Sequence, residues 1–169
     1  MANKRFLHKF DSKKIWWLHF TKYILLAAVA LTLVFTLVIG VSSVSGQSMH
    51  PTLRDGSAVV YLRPVRNYSV GDVVSVRMST GERYIKRVVA VEGDTVDLRD
   101  GVLYVNDTAE SASYAYGETE ARGDTVSYPL TLRQGQVFLL GDNRPVSVDS
   151  RTFGAVNVSQ IQGRVLAVD

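Results

Sequence analysis

The chain turns wholly apolar early: from Ile24 to Val41 it reads ILLAAVALTLVFTLVIGV, eighteen residues without a charge and with Thr32 and Thr36 as the only hydroxyls. At 1.5 Å per helical residue this is about the length needed to cross a hydrocarbon core of roughly 30 Å, so a transmembrane helix is expected over residues 23–44. Trp16, Trp17 and Tyr23 suit an interfacial belt, and the lysines before them should stay on the cytoplasmic side. Residues 1–22 then form a basic cytoplasmic tail, and residues 45–169 an extracytoplasmic domain. A basic start, an apolar core and small residues such as Ser43 and Ser45 also fit a cleaved secretory signal. The core is longer than the usual 7 to about 15 residues of such signals, which favours a retained anchor.

Beyond Val44 the texture changes to short β-forming runs bounded by Gly-Asp and Asp-Gly pairs. Strands are expected at Ser57–Leu62, Asp72–Met78, Arg83–Val91, Thr95–Leu98, Val102–Val105, Gln136–Leu140 and Gly163–Val168. Asp100-Gly101 marks a tight hairpin between Leu98 and Val102. No helical period of comparable strength follows, and the fold class is mainly β. The stretch of about 106–132 differs: Glu110, Glu118, Glu120 and Asp124 alternate with small residues and tyrosines, which reads as a solvated excursion or small cap.

Charge narrows the partners. The net charge is +3, but six basic residues against Asp11 give the first 22 residues +5, leaving −2 for the rest. The basicity belongs to the tail, so nucleic-acid binding by the domain gains no support. With no cysteine there is no thiol nucleophile, disulfide or thiolate metal cluster. Three histidines and no suitably spaced carboxylates leave a zinc site without ligands.

Ser48, in Gly46-Gln47-Ser48-Met49-His50-Pro51-Thr52-Leu53, follows the apolar segment by only a few residues. A serine hydroxyl needs a positioned base to become a nucleophile. His50 is the one histidine beyond the N-terminal region, and its two-residue tether aims it poorly. Lys86, inside the β-forming run Tyr84-Ile85-Lys86-Arg87-Val88-Val89, is the other candidate, because burial can lower a lysine's pKa until the neutral amine accepts a proton.

Three motifs in order resemble bacterial type I signal peptidase, of a Gram-positive kind. They are Ser48-Met49-His50-Pro51-Thr52-Leu53; Lys86-Arg87-Val88-Val89 followed by Gly93-Asp94; and Gly141-Asp142-Asn143-Arg144 with Ser147, Asp149, Ser150, Arg151 and Gly154. The resemblance implies a compact domain of coiled antiparallel sheets after one membrane anchor. It implies cleavage of signal peptides from exported precursor proteins, with Ser48 as nucleophile, Lys86 as general base, and neither metal nor cofactor. It further implies that Ser147 hydrogen-bonds and aims the Lys86 amine, that Asp149 and Arg151 pair to fix their loop, and that Met49, Leu53, Tyr84 and Ile85 line pockets for small side chains. Those pockets would prefer alanine at the first and third residues before the cut. The Ser48 N–H is the expected oxyanion donor; Gly46 lacks the hydroxyl that some relatives carry there, leaving Ser45, another backbone amide or no group at all as the second. Pro145 and Val146 stand where the family commonly has polar residues. A rival reading is a protein that binds precursors without cutting them and assists assembly of surface polymers. The expected partners are precursors and a lipid bilayer; the sequence leaves the oligomeric state open.

Overall fold

The computed structural model describes residues 4–63, 65 and 67–167, with side-chain surroundings from residue 13 onward. Val168, the expected end of the last strand, lies outside the described residues. The chain divides into two units, Met1–Val38 and Ile39–Asp169, with the second carrying the candidate chemistry.

In the first unit helix α1 spans Lys4–Leu33 and continues as one π-helical stretch, Val34–Val38. The segment Lys13–Val38 is long and apolar enough to cross a bilayer, and none of its best window is buried by protein. Its threonine hydroxyls are internally satisfied: Thr21, Thr32 and Thr36 donate to the carbonyls of Trp17, Ala28 and Thr32. This removes the polar penalty of placing threonine against lipid.

The expected helix over 23–44 ends early. Ile39–Ser43 is strand β1, which pairs antiparallel with β2 (Ala58–Leu62) from Ile39↔Leu62 to Ser43↔Ala58. An apolar run reads alike as helix or strand. Here the free edge of β2 captures its last residues, and Gly40 is required because a Cβ there would run into the Tyr61 ring.

All seven expected strands form. With β1 and β2, a seven-stranded antiparallel sheet contains β3 (Val73–Arg77), β4 (Arg83–Ala90), β9 (Gln136–Leu140), β10 (Val156–Asn157) and β11 (Ile161–Ala167), ordered β1-β2-β11-β3-β4-β9-β10. A second sheet comprises β5 (Thr95–Arg99), β6 (Val102–Val105), β7 (Thr108–Ala109) and β8 (Leu130–Thr131), ordered β7-β6-β5-β8. Register shifts at Val88/Ala90, Ile161/Gly163 and Val165/Ala167 accompany the curl of the large sheet. A one-turn helix α2, Ser150–Phe153, has Asp149 as N-cap and Gly154, at φ 84°, closing it.

Strand β4 is central to the architecture. Held between β3 and β9, its residues from Ile85 to Ala90 are all buried. Val88 joins a core with Val74, Val76, Val137 and Leu139, whereas Val89 and Ala90 join Val96, Leu103, Phe138 and Leu140 beneath the second sheet. Ile85 belongs to a third cluster with Val44, Met49, Leu53, Val59 and Val73.

The segment 106–132 is exposed over most of its length but is tied down at a few points. Tyr116 N–H donates to the Asp142 carbonyl, Arg144 N–H donates to the Tyr116 carbonyl, and Thr119 is buried. Of its polar residues, Glu110 and Thr119 turn inward to meet Arg144, whereas Glu118, Glu120 and Asp124 stay exposed.

Candidate active site

The turn bearing Ser48 is pinned from below. Met49 and Leu53 are fully buried, Leu53 N–H donates to the Met49 carbonyl, and Asp55 Oδ1 accepts the Gly46 N–H. Gly46 has φ 83°, the left-handed region that glycine enters freely, which reverses the chain just ahead of the serine. The Ser48 carbonyl accepts the N–H of Asn143 at 3.0 Å. A Cβ on Gly141 would overlap both that carbonyl and Ser147 Oγ, so glycine is what allows the two loops to approach.

Lys86 reaches the same point from β4. Only 2% exposed, its Nζ donates to Ser48 Oγ at 2.7 Å across 38 residues of sequence. Burial pushes its pKa down to about 8. Asp149 works against that shift, Arg151 with it and Asp142 against it. The cation that lowers it is Arg151, not the neighbouring Arg87. A lowered lysine beside a serine hydroxyl can take that hydroxyl's proton.

Arg87 has a structural role. Its Nε and Nη2 donate to the two Asp142 oxygens at 2.8 and 2.6 Å, its Nη1 to the Gly71 carbonyl at 2.8 Å, and the Tyr114 ring lies 4.0 Å from its guanidinium carbon. Thr52 closes this group with a hydrogen bond to Asp142. Asp149 and Arg151 form the expected buried pair, with Nε to Oδ1 and Nη2 to Oδ2 both 2.9 Å, and Asp149 Oδ2 also accepts the Gly141 N–H. Arg144, fully buried, donates to Gly141 O, Thr119 Oγ1 and Glu110. Sequence reasoning missed the partnership of Arg144 with Glu110 and Thr119.

Two expectations need correction. Ser147 is buried beside Gly141, but its hydroxyl has no hydrogen-bond partner and does not bond Lys86; the Nζ is turned toward Ser48. Leu53 does not line the substrate hollow, because the helical turn after Met49 directs it into the core. Met49, Tyr84 and Ile85 do line a hollow of about 80 Å³ next to Ser48 and Lys86, joined by Ser43, Val44 and Ser45. That volume suits a small side chain. Val44 went unrecognised as a wall residue because it was assigned to the helix.

The chain is similar to several known proteins. The family described as signal peptidase, peptidase S26, matches residues 17–168. Signal peptidase IB of Staphylococcus aureus is 30% identical over 164 residues, covering 85% of this chain and 86% of that protein. Thylakoidal processing peptidase 1 of Arabidopsis thaliana is 34% identical over 140 residues, covering 72% of this chain and 39% of its own length. A crystal structure of a signal peptidase I from Enterococcus faecalis V583 has 30% identity and a TM-score of 0.49, covering 62% of this chain and all of that one. The family match spans both units and includes the meeting of Ser48 and Lys86, and the chain belongs to the signal peptidases of peptidase family S26, among the bacterial type I members.

Proposed function

We propose that this signal peptidase cuts its precursors with Ser48 as nucleophile and Lys86 as general base. The observation that carries the reading is the 2.7 Å contact between Ser48 Oγ and a buried amine of lowered pKa. With a pKa of about 8, roughly a tenth of Lys86 is neutral at pH 7, enough to start each cycle.

The neutral Nζ takes the Ser48 proton as Oγ attacks the scissile carbonyl, giving a tetrahedral oxyanion. Collapse breaks the C–N bond; the new ammonium returns its proton to the departing amine and leaves an acyl ester on Ser48. Water, deprotonated in turn by Lys86, hydrolyses the ester and restores the hydroxyl. The Ser48 N–H is the first oxyanion donor. Gly46 N–H is engaged by Asp55, which leaves the Ser45 hydroxyl, on the wall of the hollow, as candidate for the second. Asp149 and Arg151 hold the neighbouring loop against Gly141 and so act as positioning residues.

The small hollow walled by Met49, Tyr84 and Ile85 favours alanine-sized side chains before the cut. The helix Lys13–Val38 is assigned as the anchor, with the basic tail cytoplasmic and the β domain extracytoplasmic, where exported precursors emerge. In the test, detergent-solubilised full-length protein is incubated with a preprotein bearing alanines at the first and third positions before its cut. Wild type should release the mature chain, whereas Ser48→Ala and Lys86→Ala, folded by circular dichroism, should not. Cleavage by either pure variant, or none by wild type, defeats the proposal; the latter outcome would favour the precursor-binding rival.

A further inference from the structure

The loop after Arg144 alternates like a strand: Ser147 and Asp149 turn inward, while Val146 and Val148 face out, 56% and 45% exposed. Two β-branched apolar side chains beside a nucleophile are poorly placed for solubility and well placed to meet an apolar partner. Together with Gln47 and Tyr84 they line a second hollow of about 290 Å³ that also contains Ser48 and Lys86. Ser45, Ser48, Tyr84 and Lys86 line both hollows, so the one of about 290 Å³ adjoins the one of about 80 Å³ at the reacting groups.

We propose that the larger hollow is a substrate subsite for an apolar side chain on the leaving side of the cut, with Val146 and Val148 as its specificity-determining residues. The inference rests on the Ser48 and Lys86 reading above. A peptide whose carbonyl carbon lies at Ser48 Oγ must run away from it in both directions. The small hollow takes the alanine-sized residue before the cut, so the departing segment passes over the other cavity. Its amine must receive a proton from Lys86 Nζ, and Lys86 lines that cavity too. An apolar side chain settling there covers both valines and further dries the amine. An acidic one could pair only with Lys86, which would hold that amine in its charged form and keep it from accepting a proton.

The test uses full-length protein in detergent and three peptides, identical up to the cut and carrying Leu, Ala or Asp immediately after it. Wild type should show kcat/KM about tenfold higher for Leu than for Ala, and lower still for Asp. The double variant Val146→Ser/Val148→Ser should bring the Leu-to-Ala ratio close to one, and Val146→Thr/Val148→Thr, which keeps the side-chain shape, should also reduce it. Thermal unfolding checks that each variant is folded. Cleavage by wild type that ignores the residue after the cut overturns the inference while leaving the dyad intact. So does a ratio unchanged in both variants, or a preference that follows the second residue before the cut. Absence of cleavage of every peptide by wild type overturns the dyad and this inference together.

Discussion

Lys86 and Arg151 lie in one site and are almost equally hidden from water, yet their charges are handled in opposite ways. Arg151 grips Asp149 with two bonds and gives a third to the Arg144 carbonyl. Arg87 and Arg144 are likewise matched, by Asp142 and Glu110. Among the described residues, no carboxylate forms an ion pair with Lys86, which has only the Ser48 hydroxyl. A guanidinium keeps its proton above pH 12, so pairing it builds a rigid scaffold. An amine left unpaired in a dry wall gives up its proton near neutrality, and becomes useful for chemistry. The scaffold is what allows the wall to stay dry.

Disturbing either side tests the contrast, and the scaffold should respond most. Arg151→Met leaves the Asp149 carboxylate buried without its partner and is expected to lower unfolding free energy by about 3 to 5 kcal/mol, measured by urea denaturation. A loss below 1 kcal/mol would mean that the pair is no scaffold. Lys86→Met removes a penalised ammonium and should raise stability at pH 7 by about 2 kcal/mol while eliminating turnover. The pH dependence identifies the cause. Lys86 has a folded pKa of about 8, below its ordinary 10.5, so the penalty is present in full below pH 8 and fades between 8 and 10.5, where the unfolded chain holds the extra proton. The advantage of Lys86→Met should therefore vanish above pH 10.5; a constant difference would point to packing alone. The smallest effect is on rate: wild-type kcat/KM should rise about tenfold per pH unit below pH 8 and level off above it. A profile flat from pH 6 to 9 would remove the neutral amine from the mechanism.

Much of this arrangement was legible in the sequence because local and global signals agree. Seven of the strands follow from β-forming runs bounded by turn residues, and three ordered motifs brought Ser48, Lys86 and the Asp149–Arg151 pair to notice. What escaped depended on partners far along the chain. β1 looked like helix because β2, which captures it, begins fifteen residues after β1 ends. Glu110 and Thr119 looked like solvated residues because Arg144 lies 34 and 25 positions away. Met49 and Leu53 sit in one turn and share one chemistry, so only the packed core decides which of them also faces the hollow.

The clasp of Asn143 N–H on the Ser48 carbonyl, with Gly141 drawn in behind it, fixes the nucleophile's main chain. In the mechanism proposed above, the Ser48 oxygen then moves chiefly by swivelling about the Cα–Cβ bond. A substrate must bring its carbonyl into that short arc, so selectivity depends on how the peptide is laid down rather than on the enzyme reshaping itself around it.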